Sequence, residues 1–138
     1  MGKRYQITRA AEFESLNILR NFIAQACLET GIPEDVSYEL QLCMDEACTN
    51  IIQHGYAGMN PGSIMFEMEI SKESVTMFIT DFGYAFEPGP APMPDVVAAL
   101  EGQPVGGFGL FIIYSIMDSV DYRSDETGNT LILKKKLK

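Results

Sequence analysis

The 138-residue chain has no tryptophan, one histidine and three cysteines, and only ten of its residues are lysine or arginine. Nineteen aspartates and glutamates bring the formal net charge to −9. A surface that binds nucleic acid needs clustered basic residues, so this composition argues against a nucleic-acid partner. No apolar run approaches the ~18 residues that a membrane-spanning helix requires, and the first residues lack the apolar core of a signal peptide. We therefore expect a cytoplasmic protein with no membrane partner.

The three cysteines, Cys27, Cys43 and Cys48, show no Cys-x-x-Cys spacing. A structural zinc site would need a fourth ligand, and the single histidine, His54, has no partner histidine. In a reducing compartment, cysteines without such spacing usually serve as small buried residues of the core. We expect buried thiols rather than metal ligands.

The length fits one compact domain, which we assign to residues 1–138. Apolar residues recur every three or four positions in the segments predicted as helices. Apolar and polar residues alternate in most segments predicted as strands. The predicted helices are 12–30, 34–54 and 108–117, and the predicted strands are 3–9, 64–70, 75–80, 120–125 and 129–137. Their order predicts an α+β fold, a two-layer sandwich in which helices pack on one face of a mixed, mainly antiparallel sheet.

The segment 87–106 contains five prolines and predicts little regular structure beyond a short helical patch at 95–100. So long an irregular segment in a small domain is typical of a functional lid or of disorder. We expect it to be mobile without a ligand.

Glu46 and Asn50 lie four residues apart on the second predicted helix and therefore share one face. Carboxylate and amide oxygens at this spacing suit a hard cation such as Mg²⁺, and the carboxylate can also accept a proton. The alternative is an ordinary solvated polar face, and this feature alone leaves both open.

Asp81 falls on the apolar face of its strand when residues are counted by twos from Val75. An inward carboxylate is costly unless something donates a hydrogen bond to it. Gly83, two residues later, would let a flat ligand approach the backbone. The alternative is an Asp-Gly turn capped by its own carboxylate.

Glycines also mark the start of the third predicted helix, at Gly107 and Gly109, just before Leu110. Backbone amides at such a helix start can approach phosphate oxygens. The pattern is neither a dinucleotide fingerprint, since Ile112 stands where the third glycine would be, nor a P-loop, since the lysine is absent. Thr130, after the predicted turn at Thr127 and Gly128, is fully explained by a hairpin when taken alone.

These four features in this order resemble the Bergerat nucleotide-binding fold of the GHKL, or histidine-kinase-like, ATPases. They are Glu-x-x-x-Asn at 46–50, Asp-x-Gly-x-x-Phe at 81–86, the Gly-x-Gly-Leu at 107–110 and the Gly-x-Thr at 128–130. The sequence from Asp45 to Tyr56 looks most like the anti-sigma-factor serine/threonine kinases. The resemblance covers about residues 5–137.

The resemblance implies a role for each matching residue of the first two motifs. Glu46 would be the general base that takes the proton of the attacking serine or water, and Asn50 would ligate Mg²⁺. Asp81 would accept a hydrogen bond from the adenine amine, and Gly83 would let the purine lie close.

The remaining motifs would serve the phosphates and the far side of the adenine. The resemblance implies that Gly107 and Gly109 let a lid at about 87–106 wrap the triphosphate, with the amides of Gly109 and Leu110 donating to it. Thr130 would sit near Asp81, beneath the adenine. Mg²⁺-ATP would order the lid.

The resemblance implies an ATP-binding anti-sigma regulatory factor. It would phosphorylate a small antagonist protein on serine or threonine and sequester a sigma factor, with ATP or ADP and Mg²⁺ as cofactors. A homodimer is implied as well, and exposed apolar groups on the first strand or helix would suit its interface.

One feature departs from the family pattern. No basic residue occurs in 21–71 or 73–122, and Phe108 stands where many relatives have an arginine. Phosphoryl transfer depends on electrostatic stabilisation, so a missing cation can cost several orders of magnitude in rate. The alternative is therefore a nucleotide-dependent protein-interaction module without significant kinase activity.

Overall fold

The computed structural model of the chain describes residues 2–84 and 108–137. The predicted lid at 87–106 and the predicted phosphate contact Gly107 lie outside the described residues. The elements, in chain order, are β1 (Lys3–Ala10), α1 (Glu14–Thr30), α2 (Glu34–Asn50), a π-helical turn (Ile51–Gly55), β2 (Ser63–Ile70), β3 (Ser74–Asp81), α3 (Phe108–Ile116), β4 (Ser119–Asp125) and β5 (Gly128–Lys136).

The strands form one five-stranded sheet in the order β1-β2-β3-β5-β4. All four pairings between the described strands are antiparallel. The strand β5 lies between β3 and β4, although α3 and β4 stand between β3 and β5 in the chain, and β1 and β4 are the edges. The α+β prediction is confirmed. The predicted sheet was mixed and mainly antiparallel, and the described strands pair only in the antiparallel direction.

The helices cover one face of this sheet. Along β2 and β3, every second side chain is buried, and these side chains form the centre of the core. They are Ile64, Phe66, Met68, Ile70, Val75, Met77, Ile79 and Asp81. Burying one large apolar side chain contributes about 1.5–3 kcal/mol, so this face fixes the register of both strands. Asp81 is the one charged member of the row.

Aromatic contacts tie the edge strand β1 to the helical layer. Phe22 of α1 meets Tyr5 of β1 edge-to-face at 6.4 Å between ring centroids, and Phe66 of β2 at 6.0 Å. The helix α1 ends as predicted at Gly31, whose φ of 76° is the left-handed conformation that glycine adopts most easily.

The second helix differs from its prediction at the carboxyl end. The α-helical hydrogen bonding stops at Asn50 rather than His54, and the next five residues form the π-helical turn. Tyr56 N–H reaches back five residues to the Ile51 carbonyl. Such single π turns are frequent at functional sites.

The hairpin between β4 and β5 turns one residue earlier than predicted. Asp125 pairs with Gly128, so Glu126 and Thr127 are the two turn residues. Gly128 has φ of 136°, a conformation that L side chains rarely adopt. No helix within the described ranges has the length and apolar character needed to cross a membrane.

Candidate functional site

A cleft opens where the end of α2, the end of β3, α3 and the β4–β5 hairpin meet. Its lining is mainly apolar, with the Asn50 amide and the Asp81 carboxylate as its main polar groups. A few polar groups among many apolar ones are typical of small-molecule sites. The lining residues are Ala47, Asn50, Ile51, Gly55, Ile79, Asp81, Tyr84, Ile113, Tyr122 and Leu131. The fold therefore brings together Asn50 and Asp81, two residues that the sequence motifs singled out separately.

Asp81 ends β3 with its side chain turned into the core, only 6% exposed. Its Oδ1 accepts hydrogen bonds from the Gly83 N–H at 2.9 Å and from the Asn129 amide nitrogen at 3.1 Å. Within the described ranges, Oδ2 accepts none. The inward orientation occurs, and so does the turn capped by its own carboxylate, which was the alternative to a ligand contact. One carboxylate oxygen is left for a ligand.

The residue that contacts Asp81 from β5 is Asn129, not Thr130 as expected. Thr130 is paired with Thr80 in the sheet, and their side-chain oxygens lie 2.9 Å apart. Successive residues of a strand point to opposite faces, so the Thr80–Thr130 pair lies on the face away from Asp81. The expectation that Thr130 sits beside Asp81 under the adenine is therefore wrong.

Gly83 has a structural reason to be glycine. A Cβ at this position would lie 2.0 Å from the Gly55 carbonyl oxygen. The next residue, Tyr84, donates its N–H to that same carbonyl at 2.5 Å. The π-helical turn and the segment after β3 are thus in backbone contact. Gly55 could not be identified as the partner from the sequence, because the contact joins segments 28 residues apart.

Tyr56 is a second residue that sequence reasoning missed. Its ring is 7% exposed, and its hydroxyl donates to the Ser63 carbonyl at 2.8 Å and accepts from the Phe82 N–H at 2.9 Å. Burial raises the pKa of this phenol, and the nearby Asp81 charge raises it further. Tyr56 therefore links the start of β2 to the residue that follows β3.

Glu46 and Asn50 occupy successive turns of α2, both half-buried. The residue before Glu46, Asp45, is paired with Arg20 of α1, whose Nη1 lies 2.7 Å from both carboxylate oxygens. Arg20, which α1 places beside this part of α2, is therefore already paired with a carboxylate.

The glycine-rich helix start is described only from Phe108 onward. Gly109 and Leu110 lie in the first turn of α3, and Ile113, one turn further, lines the cleft. The expected approach of their amides to phosphate stays a prediction, and Gly107 lies outside the described residues.

All three cysteines are buried and free, as expected. Burial raises the pKa of the Cys43 thiol to about 12. Burial also raises the pKa of Cys48, and the charges of Asp45 and Asp81 raise it further. These thiols are protonated at neutral pH and are part of the core.

Residues 10–135 match the model of the histidine kinase-like ATPase domain. The match spans most of the chain, from the end of β1 into β5, and includes every element that lines the cleft. The chain belongs to this family.

Similarity to individual proteins points to kinases within the family. The chain is 30% identical over 96 residues to the serine/threonine-protein kinase BtrW of Bordetella bronchiseptica, covering 70% of this chain and 68% of that protein. It is 29% identical over 132 residues to the serine-protein kinase RsbW of Bacillus cereus strain AH187, covering 91% of this chain and 79% of the relative. The resemblance drawn from the motifs is confirmed.

Proposed function

We propose that the cleft binds ATP or ADP together with Mg²⁺ and that the protein is a serine/threonine protein kinase. The observation that carries this proposal is that Asn50 and Asp81 lie in one cleft, with an Asp81 oxygen that accepts no hydrogen bond from the described residues. A buried carboxylate with a free acceptor suits a ligand that donates a hydrogen bond, as the adenine amine does. The apolar walls suit the faces of a purine ring.

The residues of α2 would serve the phosphate end of the nucleotide. Asn50 offers an amide oxygen in the cleft, a ligand type that Mg²⁺ accepts. Mg²⁺, when bound, would neutralise charge on the phosphate oxygens. The amides of Gly109 and Leu110, at the start of α3, would add hydrogen-bond donors and the positive end of the helix dipole.

Glu46 would act as the general base. Its carboxylate would accept the proton of a serine or threonine hydroxyl as that oxygen bonds to the γ-phosphorus, while the bond from that phosphorus to the β–γ bridging oxygen breaks and ADP leaves. Glu46 precedes Asn50 by one helical turn, so one rigid helix would hold both the proton acceptor and the metal ligand.

The proposed partners follow from the same resemblance. The phosphate acceptor would be a small antagonist protein, and the kinase would sequester a sigma factor in the cytoplasm as an anti-sigma factor. Exposed apolar side chains at α1 support the homodimer expected there, because such groups are better buried. They are Phe13, Ile18 and Leu28, exposed by 53%, 40% and 75%.

Two variants separate binding from phosphoryl transfer. Glu46→Gln should abolish transfer of labelled phosphate from ATP to proteins encoded beside it while leaving nucleotide affinity nearly intact. Asp81→Asn should weaken nucleotide binding itself, since the amide adds a donor where an acceptor is needed. If the unaltered protein labels none of these neighbouring proteins, that result would count against kinase activity.

A second function is favoured by one observation. No basic residue lies in 21–71 or 73–122, and Arg20 is engaged by Asp45. With so little positive charge, the protein would bind nucleotide only to control a protein-interaction surface. Calorimetry distinguishes the two: tight binding of a slowly hydrolysed ATP analogue without phosphoryl transfer supports the module, and binding with transfer supports the kinase.

A further inference from the structure

Asn129 is a buried polar residue to which the proposed function gives no role. Its side chain is 4% exposed, and each of its polar atoms is used. The nitrogen Nδ2 donates to Asp81 Oδ1 at 3.1 Å and to the Gly83 carbonyl at 2.9 Å. The oxygen Oδ1 accepts from the Ser124 hydroxyl at 2.6 Å.

The chemistry of the neighbours fixes the orientation of this amide. A carboxylate and a carbonyl can only accept hydrogen bonds, so the atom that faces both must be the donor nitrogen. The Ser124 hydroxyl can rotate to donate, and it meets the amide oxygen. Turning the amide over would place an oxygen against two oxygens, so Ser124, Asp81 and Gly83 together hold Asn129 in one orientation.

Asn129 in turn restrains Asp81. Oδ1 receives two donors, one from its own turn at Gly83 and one from β5, and rotating the carboxylate would lose both bonds. Oδ2 is left as the acceptor at the cleft. A hydrogen bond to a charged acceptor contributes more than a neutral one, so this arrangement is strongly preferred over a rotated carboxylate.

We propose that Asn129, held by Ser124, is a positioning residue that presents Asp81 Oδ2 to the ligand and makes the cleft select purines with an exocyclic amine. This inference rests on the proposed nucleotide-binding function. An amine at the purine 6-position donates to Oδ2. A 6-oxo purine would set an acceptor against a carboxylate, which leaves two buried acceptors facing each other and is rejected.

The test is the ratio of affinities for ATP and inosine triphosphate, which differ at the purine 6-position. We would measure both by calorimetry with Mg²⁺ on the full chain. The unaltered protein should prefer ATP at least tenfold. In Asn129→Ala, the carboxylate gains freedom to rotate, and the ratio should fall by about tenfold. Ser124→Ala, which removes only the restraint on the amide, should lower the ratio by a smaller factor.

Thr127→Ala is the matched control. It removes the hydrogen bond from the Thr127 hydroxyl to Asp125 in the turn of the same hairpin and keeps the one from the Thr127 backbone N–H. Neither of these bonds involves Asp81. The variant should loosen the hairpin and leave the ratio unchanged. If Asn129→Ala lowers the affinity for both nucleotides equally, or for neither, the ratio stays unchanged. Asn129 would then have only a structural role, and the inference would be overturned.

Two further outcomes bear on the proposal differently. An unaltered protein that binds ATP and inosine triphosphate equally well would overturn the selectivity and leave nucleotide binding standing. An unaltered protein that binds neither would remove the proposed function, and the inference with it. If Asn129→Ala does not fold, Ser124→Ala decides, because Ser124 is exposed and an unchanged ratio in that variant refutes the restraint.

Discussion

At the scale of single residues, Gly83 and Gly55 are in contact but differ in whether a methyl group would fit at each position. Gly83→Ala would place a Cβ 2.0 Å from the Gly55 carbonyl oxygen, and backbone must move to admit it. We expect this variant to lower the free energy of unfolding by about 2–3 kcal/mol, without any nucleotide present. Urea denaturation monitored by circular dichroism measures the loss.

Gly55→Ala is the control from the other side of the same contact. Its Cβ would meet Ile51 Cγ2 at 3.5 Å and Asp81 Oδ1 at 3.7 Å, which are ordinary contact distances. The free energy of unfolding should stay within about 0.5 kcal/mol of the original. Similar losses in the two variants would contradict the packing described for Gly83.

Tyr56 provides a second prediction at this scale. Tyr56→Phe removes the hydroxyl that accepts from Phe82 N–H and donates to the Ser63 carbonyl. Two backbone groups lose their partner, so the free energy of unfolding should fall by about 1–2 kcal/mol. Tyr38→Phe makes the same chemical change at a ring that is 69% exposed and should have almost no effect. Chemical denaturation of the pair checks this.

At the scale of elements, the β4–β5 turn makes stability depend on pH. Asp125 accepts hydrogen bonds from the side chain and backbone of Thr127, and these hold its pKa below the ordinary 3.8. A lowered folded-state pKa means stabilisation that is present above the unfolded pKa and lost as pH falls through the folded one.

The unaltered protein should therefore resist urea better than Asp125→Asn at pH 7, with the difference shrinking as pH falls through about 4. Urea midpoints across this pH range measure the change. A difference that stays constant into acid would show that the Asp125 charge does not stabilise the turn.

The sequence predicted the elements well because each is determined locally. Hydrophobic spacing located α1 and β3, and Gly31 marked a helix end. The strand order could not be predicted, because the placement of β5 between β3 and β4 depends on how the whole chain packs. The π-helical turn was missed for the same reason, since Gly55 is buried against Gly83, far along the chain.

Asn129 is different, because the sequence contained the signal. Leu133 is buried, and counting back by twos places Leu131 and Asn129 on the same inward face. The family pattern directed attention to Thr130, one residue out of phase. Asp81 was predicted to face inward by that same counting, and its burial agrees. Strand periodicity, applied to β5 as it was to β3, would have identified the contact.

At the scale of the whole molecule, the cleft is built from several elements, so its ligand should stabilise all of them together. On the proposed function, Mg²⁺-ATP at about 100 times its dissociation constant should add about 2.7 kcal/mol to the free energy of unfolding. For a chain of this length, the melting temperature should rise by roughly 8 °C.

Differential scanning fluorimetry measures this shift. Removing Mg²⁺ with a chelator should reduce most of it, because the phosphate charge is then left to the helix start and the few cations of the chain. Asp81→Asn should show a smaller rise at the same nucleotide concentration. An equal rise with and without the chelator would argue against a metal ligand role for Asn50.

The π-helical turn has one more consequence, for the chain length that this site tolerates. Asn50, before the turn, and Gly55, at its end, both line the cleft, and Gly55 is in contact with Gly83. A π turn holds one residue more than an α turn, so deleting the exposed Gln53 would force ordinary helical spacing on this turn and shorten the chain between Asn50 and Gly55 by one residue. The turn therefore sets the length of chain between Asn50 and Gly55, two residues that line the cleft. In this turn, the number of residues matters more than the identity of the exposed residues.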